Sequence, residues 1–167
     1  MYLSENARVL EFGGSNGVIA EMFAPDHQVE IAPNFPEVDI QSLTSYENQC
    51  CDVVILDQIL EHIPNPQAAI KECHRILRPN GICISTTPFL IRVHGYPNDF
   101  QRFTGAGLKE LFSQFSSVEV VNWGNRLTLE TFHRYGWLSA KNARLLGRAA
   151  LWNEEKWPID ILTWAKK

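Results

Sequence analysis

A chain of 167 residues with 45% hydrophobic and 20% charged side chains is sized for one domain and carries enough apolar material for a sizeable core. The formal net charge of −4, with no dense basic patch interleaved with aromatics, speaks against nucleic acid as the default partner. No apolar run reaches the ~20 residues of a membrane span, and the N-terminus lacks the basic-then-apolar pattern of a secretory signal.

Charge is unevenly distributed. Residues 1–125 hold 7 Lys/Arg against 15 Asp/Glu, whereas residues 126–167 hold 8 against 4. The basic C-terminal part reads first as a solvated helix face and second as an attraction for an anionic acceptor. Cys50, Cys51, Cys73 and Cys83 contain no C-x-x-C pair, so neither a zinc knuckle nor a disulfide framework is indicated. Four scattered thiols fit a reducing compartment, and a cytoplasmic location is expected.

The elements alternate along the chain. Arg8–Phe12 reads as a strand, followed by a glycine-dense turn and a brief helix that Pro25 stops. His27–Ala32 and Glu37–Gln41 read as two further strands, with too few residues between them for a crossover helix. Asp52–Asp57 is an almost unbroken apolar run, the mark of a strand buried on both faces. Gln67–Leu77 has apolar residues at helical spacing and ends in the turn Pro79-Asn80-Gly81. Ile82–Thr86 is the next buried strand, and Pro88–Arg102 is a long irregular loop. Thr104 is placed to cap a helix reaching about Phe115. Val118–Trp123 is a strand, Arg126–Trp152 a helical stretch, and Ile159–Ala165 a final strand. The order predicts an α/β sandwich with a mostly parallel sheet, abbreviated at the N-terminus and around its second and third strands. Residues 1–167 are expected to form a single domain with a helical excursion at about 126–152.

The stretch Glu11-Phe12-Gly13-Gly14-Ser15-Asn16-Gly17 invites three readings. It satisfies G-x-S-x-G, and Ser15, Asp99 and His133 follow the Ser–Asp–His order of α/β-hydrolases, but too little chain precedes it to supply the earlier strands of that fold. It does not satisfy the dinucleotide pattern G-x-G-x-x-G, because Ser15 stands at the second glycine. The third reading is a family resemblance. Glu11–Gly17 resembles the E/D-x-G-x-G-x-G first motif of class I S-adenosylmethionine-dependent methyltransferases, with Ser15 in place of the middle glycine. Cys51–Leu56, Gln58–Pro64 and Glu72–Ile82 are similar, in register, to that family's fourth strand, its "LEH" segment and its "RVLKPGG" helix exit. Together these segments resemble the type 11 subgroup. The resemblance implies a three-layer, Rossmann-like sandwich that binds S-adenosyl-L-methionine and releases S-adenosyl-L-homocysteine.

Residue by residue, it implies that the turn at Gly13, Ser15 and Gly17 meets the donor's carboxylate with backbone N–H groups. Glu11 would face the donor's ammonium, Glu30 the ribose hydroxyls and Asp39 the adenine amino group. Asp57, with Leu60 beside it, would lie at the methionyl end. Some relatives hold a divalent metal through E-x-x-E-H; here Gln58 stands at the first glutamate, a neutral amide is a poor ligand for a hard cation, and no metal is expected. Glu61 and His62 then read as packing and hydrogen bonding at a helix start. On the acceptor side, the loop after the fifth strand offers His94 as general base, with Asp99 and Arg102 near it, although these three also suit a role in pinning the loop. Tyr96 and Phe100 are candidates for an acceptor wall. Phe132, Tyr135, Trp137, Leu138, Leu145, Leu146, Leu151 and Trp152 make the excursion a lid, an acceptor wall, a homodimer contact or simple packing. The expected function is methyl transfer to a hydroxyl or amine of a small molecule, a sugar or sugar nucleotide by resemblance at 97–104 and 157–165. The alternative is a donor-binding protein without turnover.

Overall fold

The computed structural model describes residues 5–13, 18–95, 98–135, 147 and 152–167. Six strands form one sheet: β1 (Arg8–Gly13), β2 (Gln28–Ile31), β3 (Cys51–Asp57), β4 (Leu77–Pro88), β5 (Ser117–Trp123) and β6 (Asp160–Lys166). Their order is β2-β1-β3-β4-β6-β5. β1 to β4 pair in parallel, and β6 enters antiparallel between β4 and β5. The helices are α1 (Val18–Glu21), α2 (Pro66–Ile76), α3 (Gly105–Leu111) and α4 (Arg126–Tyr135). The expected α/β architecture is therefore present. Among the described residues no helix is long and apolar enough to cross a membrane.

The period-two alternation of the strands divides the core into two faces. Leu10, Phe12, Val54, Leu56, Cys83 and Ile161 point to one face, where Ala69, Ile70, Cys73 and Ile76 of α2 and Leu108, Leu111 and Phe112 from the α3 region cover them. Val9, Val53, Ile55, Ile82 and Ile84 point to the other, against Ile19 and Phe23. α2 presents its apolar residues at spacings of three and four. It starts cleanly because Asn65 Oδ1 accepts from Ala68 N at 3.2 Å and Pro66 needs no partner for a missing N–H. α3 begins as predicted, with Thr104 Oγ1 accepting from Gly107 N at 3.1 Å, and ends earlier, at Leu111. Asn125 caps α4, accepting from Thr128 N at 2.8 Å.

Two expectations are corrected. Glu37–Gln41 is not a strand: Asp39 Oδ1 instead accepts from Gln41 N at 2.9 Å and closes a local turn. Pro33 and Pro36 lack the N–H groups that a ladder beside the four-residue β2 would need. Pro79-Asn80-Gly81 does not interrupt the chain between α2 and the next strand but bulges inside β4. The register jumps from Cys51↔Leu77 to Val53↔Ile82, and Asn80 takes φ 65°. In the excursion the helix runs from Arg126 to Tyr135. Trp137, Leu138, Leu145, Leu146 and Leu151 lie outside the described residues, as do Tyr96 and, in the glycine turn, Ser15 and Gly17. The side chain of Tyr135 is outside them too.

Candidate active site

The chain passes from β1 to β2 on one side and reaches β3 on the other, so a crevice opens beyond the carboxyl end of β1, where parallel sheets place their ligands. A cavity of about 450 Å³ occupies this edge. Phe12 and Gly13 form its floor, Phe35 and Val38–Gln41 one wall, and Gln58, Ile59, His62, Asn98 and Phe100 the other. Gly13 has φ +136°, and a Cβ there would fall 2.0 Å from the Asp57 carbonyl oxygen, so glycine is required for β1 and β3 to lie side by side at the turn. The wall at 38–41 is braced from below. Glu72 accepts from Leu43 N at 2.9 Å, and the Arg75 guanidinium, paired with Glu72 at 2.8 Å, donates to the carbonyls of Leu43 and Tyr46.

The expected donor residues are distributed unevenly around this cavity. Gly13 and Asp39 line it. Glu11 is fully buried one pair of residues below, in the strand itself. Asp57 is 5% exposed and accepts from the Thr86 hydroxyl, and the following residue, Gln58, turns into the cavity through a left-handed conformation at φ 50°. Leu60 is fully buried in the core. Glu30 is not brought to the cavity wall. Its two oxygens accept from Arg8 Nη2 at 2.9 Å and from the Tyr46 hydroxyl at 3.0 Å, because Tyr46 folds over β1 edge-on to Phe12. Burial and the Glu30 carboxylate push the Tyr46 hydroxyl up to about 12. His133, the third member of the hydrolase-like order, sits on α4 rather than among these residues.

On the acceptor side, loop 98–102 is clamped onto a 3-10 turn at Leu60–His62. Phe100 N donates to the Glu61 carbonyl at 2.8 Å, and Gln101 Nε2 donates to the carbonyls of Ile63 and Leu60 at 2.7 and 3.3 Å. The clamp brings one side chain from a distant loop to two that are adjacent in sequence. The ligand atoms of Glu61, His62 and His94 lie within 4.8 Å of one another. Glu61 Oε1 is 3.6 Å from His62 Nε2 and 4.0 Å from His94 Nε2. The Glu61 carboxylate is fully buried, and neither of its oxygens has a hydrogen-bond partner of standard geometry. Burial raises it to about 7 against the opposing pull of its own backbone N–H, His62 and Arg102. Asp99 is its opposite. Arg102 grips both its oxygens, His94 N donates to it at 2.9 Å, and these bonds, the guanidinium first, hold it down at about 2. Asp99 Oδ2 also stands 3.3 Å from His94 Nδ1.

Glu61 and His62, the two acid–histidine positions of the E-x-x-E-H pattern, are joined by His94 in a group that could hold a cation. The Gln58 amide donates from Nε2 to Asp160 Oδ1 at 3.3 Å. His94 enters from a loop 32 positions beyond His62, a juxtaposition without any local sequence signal.

A family model described as a methyltransferase domain matches residues 2–85, half of the chain. The chain belongs to that methyltransferase-domain family. Its fold is that of solved S-adenosylmethionine-dependent methyltransferases. A SAM-dependent methyltransferase from Archaeoglobus fulgidus superimposes with TM-score 0.65 at 16% identity, covering 97% of this chain and 86% of that one. The 1,6-didemethyltoxoflavin-N1-methyltransferase of Burkholderia thailandensis, solved with 1,6-didemethyltoxoflavin and S-adenosylhomocysteine bound, superimposes with TM-score 0.64 at 16% identity, covering 98% and 72%. In sequence, the methyltransferase domain is similar to a ubiquinone biosynthesis O-methyltransferase of Psychrobacter cryohalolentis, 26% identical over 78 residues. That match takes in 47% of this chain and spans 30% of the relative's length.

Proposed function

We propose that this chain transfers the methyl group of S-adenosylmethionine to a hydroxyl of a small molecule. The observation that carries the proposal is the cavity itself. It opens at the carboxyl edge between the Gly13 turn and Asp39 on one side and His62 on the other, so donor and acceptor can meet within one space. The donor's adenine fits the wall at Val38–Gln41, where Asp39 is the acid for its amino group. The family position of Asp57 and Gln58 suits the methionyl end. The buried Glu11 acts beneath the Gly13 end of β1. Glu30 belongs to this proposal as a support of the wall, through Arg8 and Tyr46.

Transfer is an in-line displacement. The acceptor oxygen forms a bond to the methyl carbon, the carbon–sulfur bond breaks, and its electron pair returns to sulfur as the thioether of S-adenosylhomocysteine. Positioning alone supplies several kcal/mol, on the order of 7 in favourable cases. A hydroxyl must also lose its proton, and the cluster of Glu61, His62 and His94 stands beside the cavity to receive it. His94 is the proposed base and Asp99 a positioning residue, since the Asp99 carboxylate reaches His94 and Arg102 with its side chain only 2% exposed. The curated relative's name favours oxygen over nitrogen as the acceptor atom, and nothing in the comparisons supports the sugar suggested by resemblance.

The test is calorimetry with S-adenosylmethionine and S-adenosylhomocysteine, followed by a turnover assay on small hydroxyl acceptors. One donor per chain is expected, with affinity falling about tenfold in Asp39→Ala and little changed in Glu30→Ala. Absence of donor binding overturns the proposal, and binding without product for any acceptor replaces it with a donor-binding role. Full turnover in His94→Ala would remove His94 as the base.

A further inference from the structure

We infer that the outer face of β5 and β6 is an interface on which a second copy of this chain docks, with β6 antiparallel to its counterpart. The inference rests on the far edge of the sheet and is independent of the methyl-transfer reading.

The two faces of the sheet are covered by different helices. On one, α2 lies over β4 and α3 over β5. On the other, α1 lies over β1, β2 and β3. Alternation decides what β5 and β6 present on that second face. In β6, Ile161, Thr163 and Ala165 are buried on the first face, so Asp160, Leu162, Trp164 and Lys166 take the second. In β5, Ser117, Glu119, Val121 and Trp123 are the exposed set. The ladder sets Val121 beside Leu162 and Glu119 beside Trp164, and these residues line a groove of about 340 Å³. Val121 is 53% exposed, Trp123 46% and Leu162 37%. Apolar exposure continues past the end of β5 at Leu127, Trp152 and Trp157. The chain is tied together there, since Ile159 N donates to the Trp123 carbonyl at 2.8 Å and Asn125 Nδ2 to the Trp152 carbonyl at 2.6 Å.

Area is the first argument for a protein-sized occupant. These exposed apolar side chains leave roughly 600 Å² open to water, taking an aromatic as ~250 Å² and an aliphatic as ~150 Å² or a little more. A monomer seldom exposes more than a few hundred Å² of contiguous apolar surface. A stable complex buries about 800 Å² per partner, somewhat over half of it apolar, which is what this edge offers.

The order of charges along β6 identifies that occupant as a second copy. Its outer face reads acid, apolar, apolar, base: Asp160, Leu162, Trp164, Lys166. Reversing the strand inverts that order of charge. A two-fold axis across the strands therefore sets each Lys166 against the partner copy's acid at position 160 and packs Leu162 on the other copy's indole at 164. An axis along the strands would oppose acid to acid and base to base, a destabilising arrangement. Both charges are available. The Lys166 ammonium has no hydrogen bond or ion pair among the described residues, and Asp160 accepts from Gln58 through Oδ1, leaving Oδ2. Glu119 stays on the edge strand, at the rim of such an interface. The acids Glu119 and Asp160 also argue against an anionic lipid surface, which selects a basic rim around its apolar patch.

The experiment is sedimentation velocity of the full chain over a concentration series reaching about 100 µM, where a specific interface of this size associates. A reversible dimer is expected. Leu162→Asp, at an exposed position, should weaken it at least about tenfold, and Lys166→Glu about tenfold. Adding Asp160→Lys to Lys166→Glu should restore association, because the charge order is again self-complementary. The thermal transition, taken at low concentration, reports that the variants are folded, and the two single variants decide the matter if the double variant does not fold. A chain that stays monomeric at about 100 µM overturns the inference and leaves the face to a different protein. A dimer indifferent to Leu162→Asp, or one that Lys166→Glu leaves unchanged or tightens, overturns it as well. Absence of donor binding in a dimeric chain would remove the methyl-transfer proposal and leave this one standing.

Discussion

Asp99 and Glu61 are two buried carboxylates at the same edge of the sheet, and their surroundings are opposite. Asp99 is saturated: a guanidinium spans both its oxygens and a backbone N–H approaches from His94. Glu61, on the turn that loop 98–102 grips, has two imidazole nitrogens at ion-pair range and no hydrogen bond to either oxygen. One carboxylate is held well below the ordinary range and the other is raised to about 7, chiefly by desolvation. The contrast teaches how burial is used here. Asp99 is charge-neutralised by Arg102 and stands beside His94. Glu61 keeps an unmet demand for a proton or a cation beside His62, which lines the cavity.

The contrast can be broken from its strongest side first. Arg102→Ala should leave Asp99 buried without its cation and cost about 3–5 kcal/mol in urea denaturation. A loss below about 1 kcal/mol would show that Asp99 is not dependent on that pair. Acid is the next lever. The folded Asp99 titrates at about 2, below its ordinary 3.8, so its contribution is complete above about pH 4 and disappears as pH falls through 2. Roughly 2 kcal/mol of stability should vanish across that window, and the same limb should be shallower in Arg102→Ala. Glu61 should behave in the reverse sense. With chelator present, Glu61→Leu should raise stability by about 1–3 kcal/mol, because an unsatisfied buried carboxylate is replaced by an apolar group; a marked loss would mean that Glu61 has a partner in the folded protein. The smallest effect concerns the clamp between the two. Gln101→Ala removes the bonds to the Leu60 and Ile63 carbonyls and should cost about 1 kcal/mol, read as a shift in the thermal midpoint.

Much of the fold was legible because it is written in local periodicity. Asp52–Asp57 read as a doubly buried strand, and β3 has every residue from Val53 to Asp57 buried. Thr104 announced a helix start that the structure uses. Val38-Asp39-Ile40 misled, since an apolar-polar-apolar alternation is shared by edge strands and by turns, and only the availability of a partner decides between them. Gly13 and Asp39, two residues that the resemblance assigned to the donor, both line the cavity. Glu30 was placed by register too, yet its carboxylate went to Arg8 and Tyr46, partners 22 and 16 residues away that no local pattern could announce.

What the sequence determined by itself is the alternating α/β order, the glycine at the end of β1 and the acids near the strand ends. These follow from steric limits on φ, from hydrophobic periodicity and from capping, all of which act within a few residues. Only the tertiary structure decided that Gln58 turns to Asp160 while His94 comes to Glu61 and His62. That choice depends on loop 98–102 docking onto the Leu60–His62 turn through Gln101 and the Phe100 backbone, a set of bonds spanning about forty residues. Long-range docking of this kind is fixed by burial and hydrogen-bond satisfaction across the whole edge, and it is what turned scattered Glu and His residues into a cluster.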